Sequence, residues 1–153
     1  MRIDPYLMFN GQCEAAFKFY QQCLGGTIQA MLKFSDAPKG EEREDAEEAA
    51  GGCGPLPPGS ENLIMHACLS VNDQILMASD TPPNYPHEGI KGCAVSLNVD
   101  SIDEAERVFA ALSEKGTVQM PLGPTFWAAR FGMFTDQFGV PWMINCEAGK
   151  EGK

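Results

Sequence analysis

No stretch of this chain approaches the roughly 18 consecutive apolar residues that a membrane-spanning helix needs. The opening residues, MRIDPYLMF, lack the anatomy of a secretory signal, because Asp4 and Pro5 interrupt the apolar run there. Positive charge is scarce: 11 Lys and Arg stand against 21 Asp and Glu, for a net charge of −10. That balance disfavours nucleic acid and anionic membranes as partners. The six cysteines (Cys13, Cys23, Cys53, Cys68, Cys93 and Cys146) form no Cys-x-x-Cys pair. Neither a zinc ribbon nor a disulfide framework is expected, and in a reducing compartment they read as small, mostly buried apolar residues. No glycine-rich loop leads from a strand into a helix, which removes the usual cradle for a nucleotide-like cofactor. The expectation is a soluble cytoplasmic protein with no cofactor, no nucleic-acid partner and no membrane partner.

What is present is a duplication. Phe126 to Thr135, the turn Asp136-Gln137-Phe138-Gly139 and Val140 to Asn145 read as strand, turn, strand, with Pro141 near a strand start where its missing N–H is tolerated. Leu63 to Val71, Asn72-Asp73 and Gln74 to Asp80 repeat the pattern upstream. Each half also carries a strand and an amphipathic helix. Ile3 to Phe9 leads to a helix capped by Asn10 or Gly11 and ended by Gly25-Gly26, with Ala16, Phe19, Tyr20, Cys23 and Leu24 at helical spacing. Thr27 to Phe34 follows as a strand. Cys93 to Val99 leads to a helix whose Ser101 and Glu104 have capping-box spacing, whose buried face is Ala105, Val108, Phe109 and Leu112, and which Gly116 closes.

The halves align at offsets of 89 (105 − 16) for the helices, 90 (116 − 26) for the following strands and 63 (136 − 73) for the hairpin turns. The smaller last offset reflects residues 35–62 of the first half, which hold Glu41, Glu42, Glu44, Asp45, Glu47 and Glu48 and then a Gly/Pro-rich run. Residues 41–50 can form a helical turn or two, and the segment reads either as a mobile loop or as a lid. The fold class expected is therefore α+β, two tandem βαβββ modules at 1–80 and 93–147, with a connector at 81–92 and a tail at 148–153. Each module is a curved sheet with a helix on one face, which leaves the other faces free to form a shared cup for a ligand.

The motifs that carry a family resemblance are Tyr6 to Gly11, Cys13 to Phe17, Phe19-Tyr20 with Leu24-Gly25-Gly26, Met65-His66-Ala67, Leu76 to Asp80, Met120-Pro121-Leu122, Thr125-Phe126-Trp127, Phe131-Gly132 and Asp136 to Asn145. They resemble the vicinal oxygen chelate superfamily of glyoxalases, extradiol dioxygenases and bleomycin-resistance proteins, and within it the PhnB-like branch. The resemblance spans residues 3–35 and 62–146. It implies four metal-ligand positions, here Pro5, Met77, Ala94 and Met143. Proline and alanine offer no donor, and a thioether is too soft for the usual Fe, Mn, Ni or Zn sites, so no metal is expected there. The resemblance also implies a homodimer.

The resemblance implies that the face of Met77 is the cup face, and strand alternation extends it to the neighbouring residues. A turn at Asn72-Asp73 pairs Ser70 with Ile75, Cys68 with Met77 and His66 with Ser79. The opposite set (Leu63, Met65, Ala67, Leu69, Val71, Leu76 and Ala78) is uniformly apolar and suits the helix side. The repeat offsets then give the expected ligand-binding residues: Leu7, Phe9, His66, Cys68, Met77, Ser79, Ser96, Asn98, Trp127, Phe131, Met143 and Asn145. Arg130 falls on the helix side unless a β-bulge turns it inward, where it would contact an anion. A second histidine, His87, sits in the proline-rich connector.

Three functions are consistent with these residues, and the alternative is that they only fill the space between the sheets. The first is a small-organic-ligand binder without metal, the second a metal-independent enzyme with His66 as catalytic acid or base beside Cys68, and the third a metal enzyme with other ligands. Methyl-transfer and phosphonate chemistry, associated with the branch, find no motif in the residues.

Overall fold

A computed structural model describes residues 1–37 and 57–149. The acidic run, and with it the choice between lid and loop, lies outside the described residues. The elements are β1 (Tyr6–Phe9), α1 (Cys13–Leu24), β2 (Thr27–Lys33), β3 (Ile64–Val71) and β4 (Gln74–Asp80), then β5 (Val95–Val99), α2 (Ile102–Leu112), β6 (Thr117–Gly123), β7 (Ala128–Thr135) and β8 (Pro141–Glu147). They make two four-stranded mixed sheets, ordered β1-β4-β3-β2 and β5-β8-β7-β6. In each, the first strand pairs parallel with the last, β1 with β4 and β5 with β8. This is the tandem βαβββ architecture. Among the described residues, no helix is long and apolar enough to cross a membrane. By compactness the chain divides into Met1–Phe17 with Ile28–Glu88 and Lys18–Thr27 with Gly89–Lys153, so the division falls inside α1.

In the first unit, β3 and β4 pair as Ser70 with Ile75 and Cys68 with Met77, around a turn whose Asn72 has φ 52°. Leu7, Phe9, Ile64, Ala67, Leu69, Leu76 and Ala78 are buried with Cys13, Ala16 and Phe17 of α1, and the Phe9 and Phe17 rings meet edge to face at 6.5 Å. Asp80, 3% exposed, ends β4 and ties two element starts together. Its carboxylate accepts the backbone N–H of Cys13 at 3.0 Å and of Ile64 at 2.9 Å. The helix thus begins later than an Asn10 or Gly11 cap implies: Gln12 O accepts the Ala16 N–H at 2.9 Å, and Asp80, distant in sequence, satisfies a first-turn donor.

Burial pushes the Cys13 thiol up to about 12 from an ordinary 9.0, with the Asp80 and Glu14 charges acting in the same direction. The folded state therefore favours the neutral thiol. Its contribution to stability is complete below about pH 9 and is lost as pH rises toward about 12. The melting temperature of the native chain is expected to fall more steeply between about pH 9 and 11 than that of Cys13→Ala, in thermal melts across that window. Parallel curves would contradict this.

In the second unit, Ser101 Oγ accepts the Glu104 N–H at 3.2 Å, and α2 buries Ala105, Val108 and Leu112. The helix ends at Leu112, with the Ser113 N–H bonded to Phe109 O, and not at Gly116. Gly116 serves a different purpose: a Cβ there would run into the Thr135 carbonyl oxygen. The turn between β7 and β8 closes through Gly139, whose φ of 85° suits glycine. Around this turn Asp136, 4% exposed, accepts four hydrogen bonds. They come from the Tyr20 hydroxyl (2.6 Å), the Trp142 indole N–H (2.8 Å) and the backbone N–H groups of Phe138 (2.8 Å) and Val140 (3.0 Å). Tyr20 and Trp142 also meet ring to ring at 5.2 Å. One carboxylate thus holds a helix residue, a strand residue and the turn in register.

Candidate functional site

Each sheet has a helix-covered face and a second face bearing the chemically distinctive side chains. In the second unit the pairs Ser96–Met143 and Asn98–Asn145 alternate with Val95–Trp142 and Leu97–Ile144. Trp142 and Ile144 are buried, so Ser96, Asn98, Met143 and Asn145 share the open face. β7 adds Phe131 opposite Asn145 and Met133 opposite Met143, and β6 adds Met120 opposite Met133. Asn145 Nδ2 donates to Asn98 Oδ1 at 3.0 Å. That bond leaves the second amide oxygen and the second amide NH2 to face outward as an acceptor and a donor.

Trp127, just before β7, lies 5.4 Å from the Phe131 ring and 4.7 Å from that of Phe126. It is 48% exposed and Phe126 is 96% exposed. These three rings form an aromatic platform at the end of the Phe131–Asn145–Asn98 row. Arg130 is not part of it. A bulge does occur, between Ala128 and Arg130, yet Arg130 pairs with the buried Cys146. Its guanidinium donates to Glu106 at 3.4 Å and to Ala129 O at 2.8 Å. The bulge displaces the residue before Arg130, and the acid on α2 holds the arginine on the helix side. Arg130 therefore stands on the helix side and not on the open face.

In the first unit the sequence misplaced β1 by one residue. Leu7 pairs with Ala78 and Phe9 with Asp80, and both apolar side chains are buried on the helix side. Tyr6, opposite Met77, and Met8, opposite Ser79, take the open face instead. The physical cause is the β1–α1 connection, which is one residue longer than its β5–α2 counterpart. The helices start 89 apart (102 − 13), whereas the strands end 90 apart (99 − 9). Carrying the helix offset into the strand turned every side chain over. An offset of 90 would have matched Tyr6 and Met8 to Ser96 and Asn98.

The open face of the first sheet then reads Tyr6 and Met8 on β1, Met77 and Ser79 on β4, and His66 and Cys68 on β3. Tyr6 Oη and His66 Nδ1 are 3.4 Å apart, and their rings stack at 6.0 Å. Ser79 Oγ donates to Met8 Sδ at 3.5 Å. His87 is separate, its Nε2 lying 3.0 Å from Met8 O at the end of β1. Tyr6, Met8, Met120, Phe126 and Met133 are the members of these faces that sequence reasoning missed.

The divalent metal of the superfamily does not fit these residues. The first-strand neighbours of Met77 and Met143 are Tyr6 and Ser96, a phenol and a hydroxyl, so no imidazole or carboxylate stands in the set. Among the described residues, no three His, Cys, Asp or Glu side chains converge as a metal site.

Residues 2–144 match the family model of the Glyoxalase/Bleomycin resistance protein/Dioxygenase superfamily. The chain belongs to that superfamily. It is 34% identical over 145 residues to Protein YjdN of Escherichia coli (strain K12), covering 95% of both chains. Protein PA1353 from Pseudomonas aeruginosa is 57% identical in its crystal structure, with a TM-score of 0.82 over 96% of this chain and 98% of that one. The fold is also that of a Bacillus cereus protein described as a putative 3-demethylubiquinone-9 3-methyltransferase, PhnB protein. It is 24% identical, with a TM-score of 0.71 over 95% of this chain and 99% of that one. The chain is thus a YjdN homologue with a PhnB protein among its structural neighbours.

Proposed function

We propose that this superfamily member binds a small, largely planar organic ligand against the open sheet face, without the superfamily's divalent metal. The supporting observation is the Phe126–Trp127–Phe131 platform, exposed beside the Asn98–Asn145 amide pair. Large aromatic side chains left in solvent forgo their burial energy, and clusters of them mark contact surfaces. Apolar rings next to a few directed polar groups are the composition of a ligand site. Met120, Met133 and Met143 continue the face with flexible, polarisable side chains that adapt to a ligand's outline. With Arg130 tied to Glu106 on the other face, the platform has no guanidinium from β7, which favours an uncharged ligand. The methyltransferase description of the Bacillus cereus protein is not carried over, because the sequence shows no glycine-rich strand-to-helix motif for a nucleotide-like cofactor.

The test is native mass spectrometry of the chain as purified from cells, followed by a thermal-shift screen against neutral planar aromatic compounds. A one-to-one adduct is expected, with stabilisation of about 2.7 kcal/mol at a hundred times its dissociation constant. An apo mass from cells, together with no shift across the panel, would overturn the proposal.

A further inference from the structure

The first sheet carries a donor set of another kind. Cys68 and Met77 are direct cross-strand partners, and Met77 pairs on its other side with Tyr6. Directly opposed residues hold their Cβ atoms about 4.5–5.5 Å apart, close enough for a thiol and a thioether to reach one ion. His66 precedes Cys68 by two positions and so shares its face. The intervening Ala67 is fully buried with Leu69 and Ala78, whereas His66, Cys68 and Met77 remain part-exposed. Cys68 and Met77 thus lie outside the fully buried core of this sheet. We propose that the open face of the first sheet binds a soft monovalent metal ion, Cu(I), between the His66 imidazole, the Cys68 thiolate and the Met77 thioether.

The chemistry of the donors selects the ion. Thiolate and thioether ligands favour Cu(I), imidazole accepts it, and the set lacks the carboxylate and carbonyl oxygens that hold Mg, Ca or Mn. The methionine that makes the superfamily's divalent site unworkable is a good ligand here. Tyr6 supplies the orientation. Its hydroxyl lies against His66 Nδ1 at 3.4 Å, so in the ligating tautomer Nδ1–H donates to Tyr6 Oη and Nε2 offers its lone pair to the metal. An outer partner of this kind commonly fixes a metal-binding histidine. On binding, the Cys68 S–H bond breaks and its proton passes to water as the S–Cu bond forms. The ion enters and stays as Cu(I), so no electron is transferred.

The experiment is an anaerobic competition titration of the full chain against a chromophoric Cu(I) chelator. It is run in a Cys53→Ser, Cys93→Ser background, because Cys93 is exposed and Cys53 lies outside the described residues. One Cu(I) per chain is expected. Met77→Leu keeps the apolar volume and removes the donor, and it should weaken binding about tenfold or more, as should His66→Gln. Cys68→Ser should leave no binding that competes with the chelator. Tyr6→Phe keeps the ring and should lower affinity about tenfold through the orientation of His66. Unchanged melting of the metal-free Met77→Leu protein shows that the loss is one of ligation. Failure to bind one ion, or binding indifferent to both Met77→Leu and His66→Gln, would overturn the proposal. Organic-ligand binding rests on the other sheet and is read out separately.

Discussion

Replacing Asp136 by alanine is expected to destabilise the fold by about 4 kcal/mol or more, because it removes the acceptor of four donors at once, three of them buried. Hydrogen bonds to a charged group are each worth about 1.5–3 kcal/mol, and the substitution removes the acceptor shared by the hydroxyl, the indole and two backbone amides. Asp136→Asn keeps one carbonyl oxygen but turns an NH2 toward the remaining donors, so an intermediate loss is expected. Denaturant unfolding of the three proteins makes the comparison. If Asp136→Ala unfolds within about 0.5 kcal/mol of the native chain, the value typical of a surface substitution, the network is not holding the unit together.

Trp142→Ala is expected to cost about 3–5 kcal/mol, the range for emptying a buried aromatic site. Trp142 is 1% exposed, its ring lies 5.2 Å from Tyr20, and its N–H is one of the Asp136 donors. The substitution therefore opens a cavity and weakens the same network. Trp142→Phe separates these effects: it fills most of the cavity and loses only the N–H, for roughly 1–2 kcal/mol. A Trp142→Ala protein with a native melting temperature would show that the strand register of β8 is wrong.

The two tryptophans show how far the sequence could be read. Alternation along the last strand sends Trp142 to the helix side and Met143 and Asn145 to the other, and the structure has that arrangement. The 63–80 hairpin is equally legible, because one face (Leu63, Met65, Ala67, Leu69, Val71, Leu76 and Ala78) is uniformly apolar and the Asn72-Asp73 turn fixes the pairing. The β1 face was not. Tyr6, Leu7, Met8 and Phe9 are all apolar or aromatic, so alternation gives no contrast, and the choice rested on an offset that one extra connecting residue shifts. The roles of Asp80 and Asp136 were also hidden. In the sequence both read as turn or strand-end residues, yet their partners, Cys13 and Tyr20 among them, are remote in sequence. No local pattern reports a side chain that satisfies a distant helix or ring. Arg130 shows the same limit: alternation puts it on the helix side unless a bulge turns it, and that a bulge next to it leaves it there depends on Glu106 of α2, which no local pattern reports.

The most direct test of the ligand-binding account is a titration of Trp127→Ala beside the native chain with a compound that stabilises the latter. Trp127 is half-exposed and its ring contacts among the described residues are with Phe126 and Phe131, so its removal should leave the melting temperature nearly unchanged. Affinity should fall about tenfold or more, equivalent to roughly 1.4 kcal/mol, as the stacking surface is lost. Undiminished affinity in a folded Trp127→Ala protein would contradict the account and leave the platform without a role in binding.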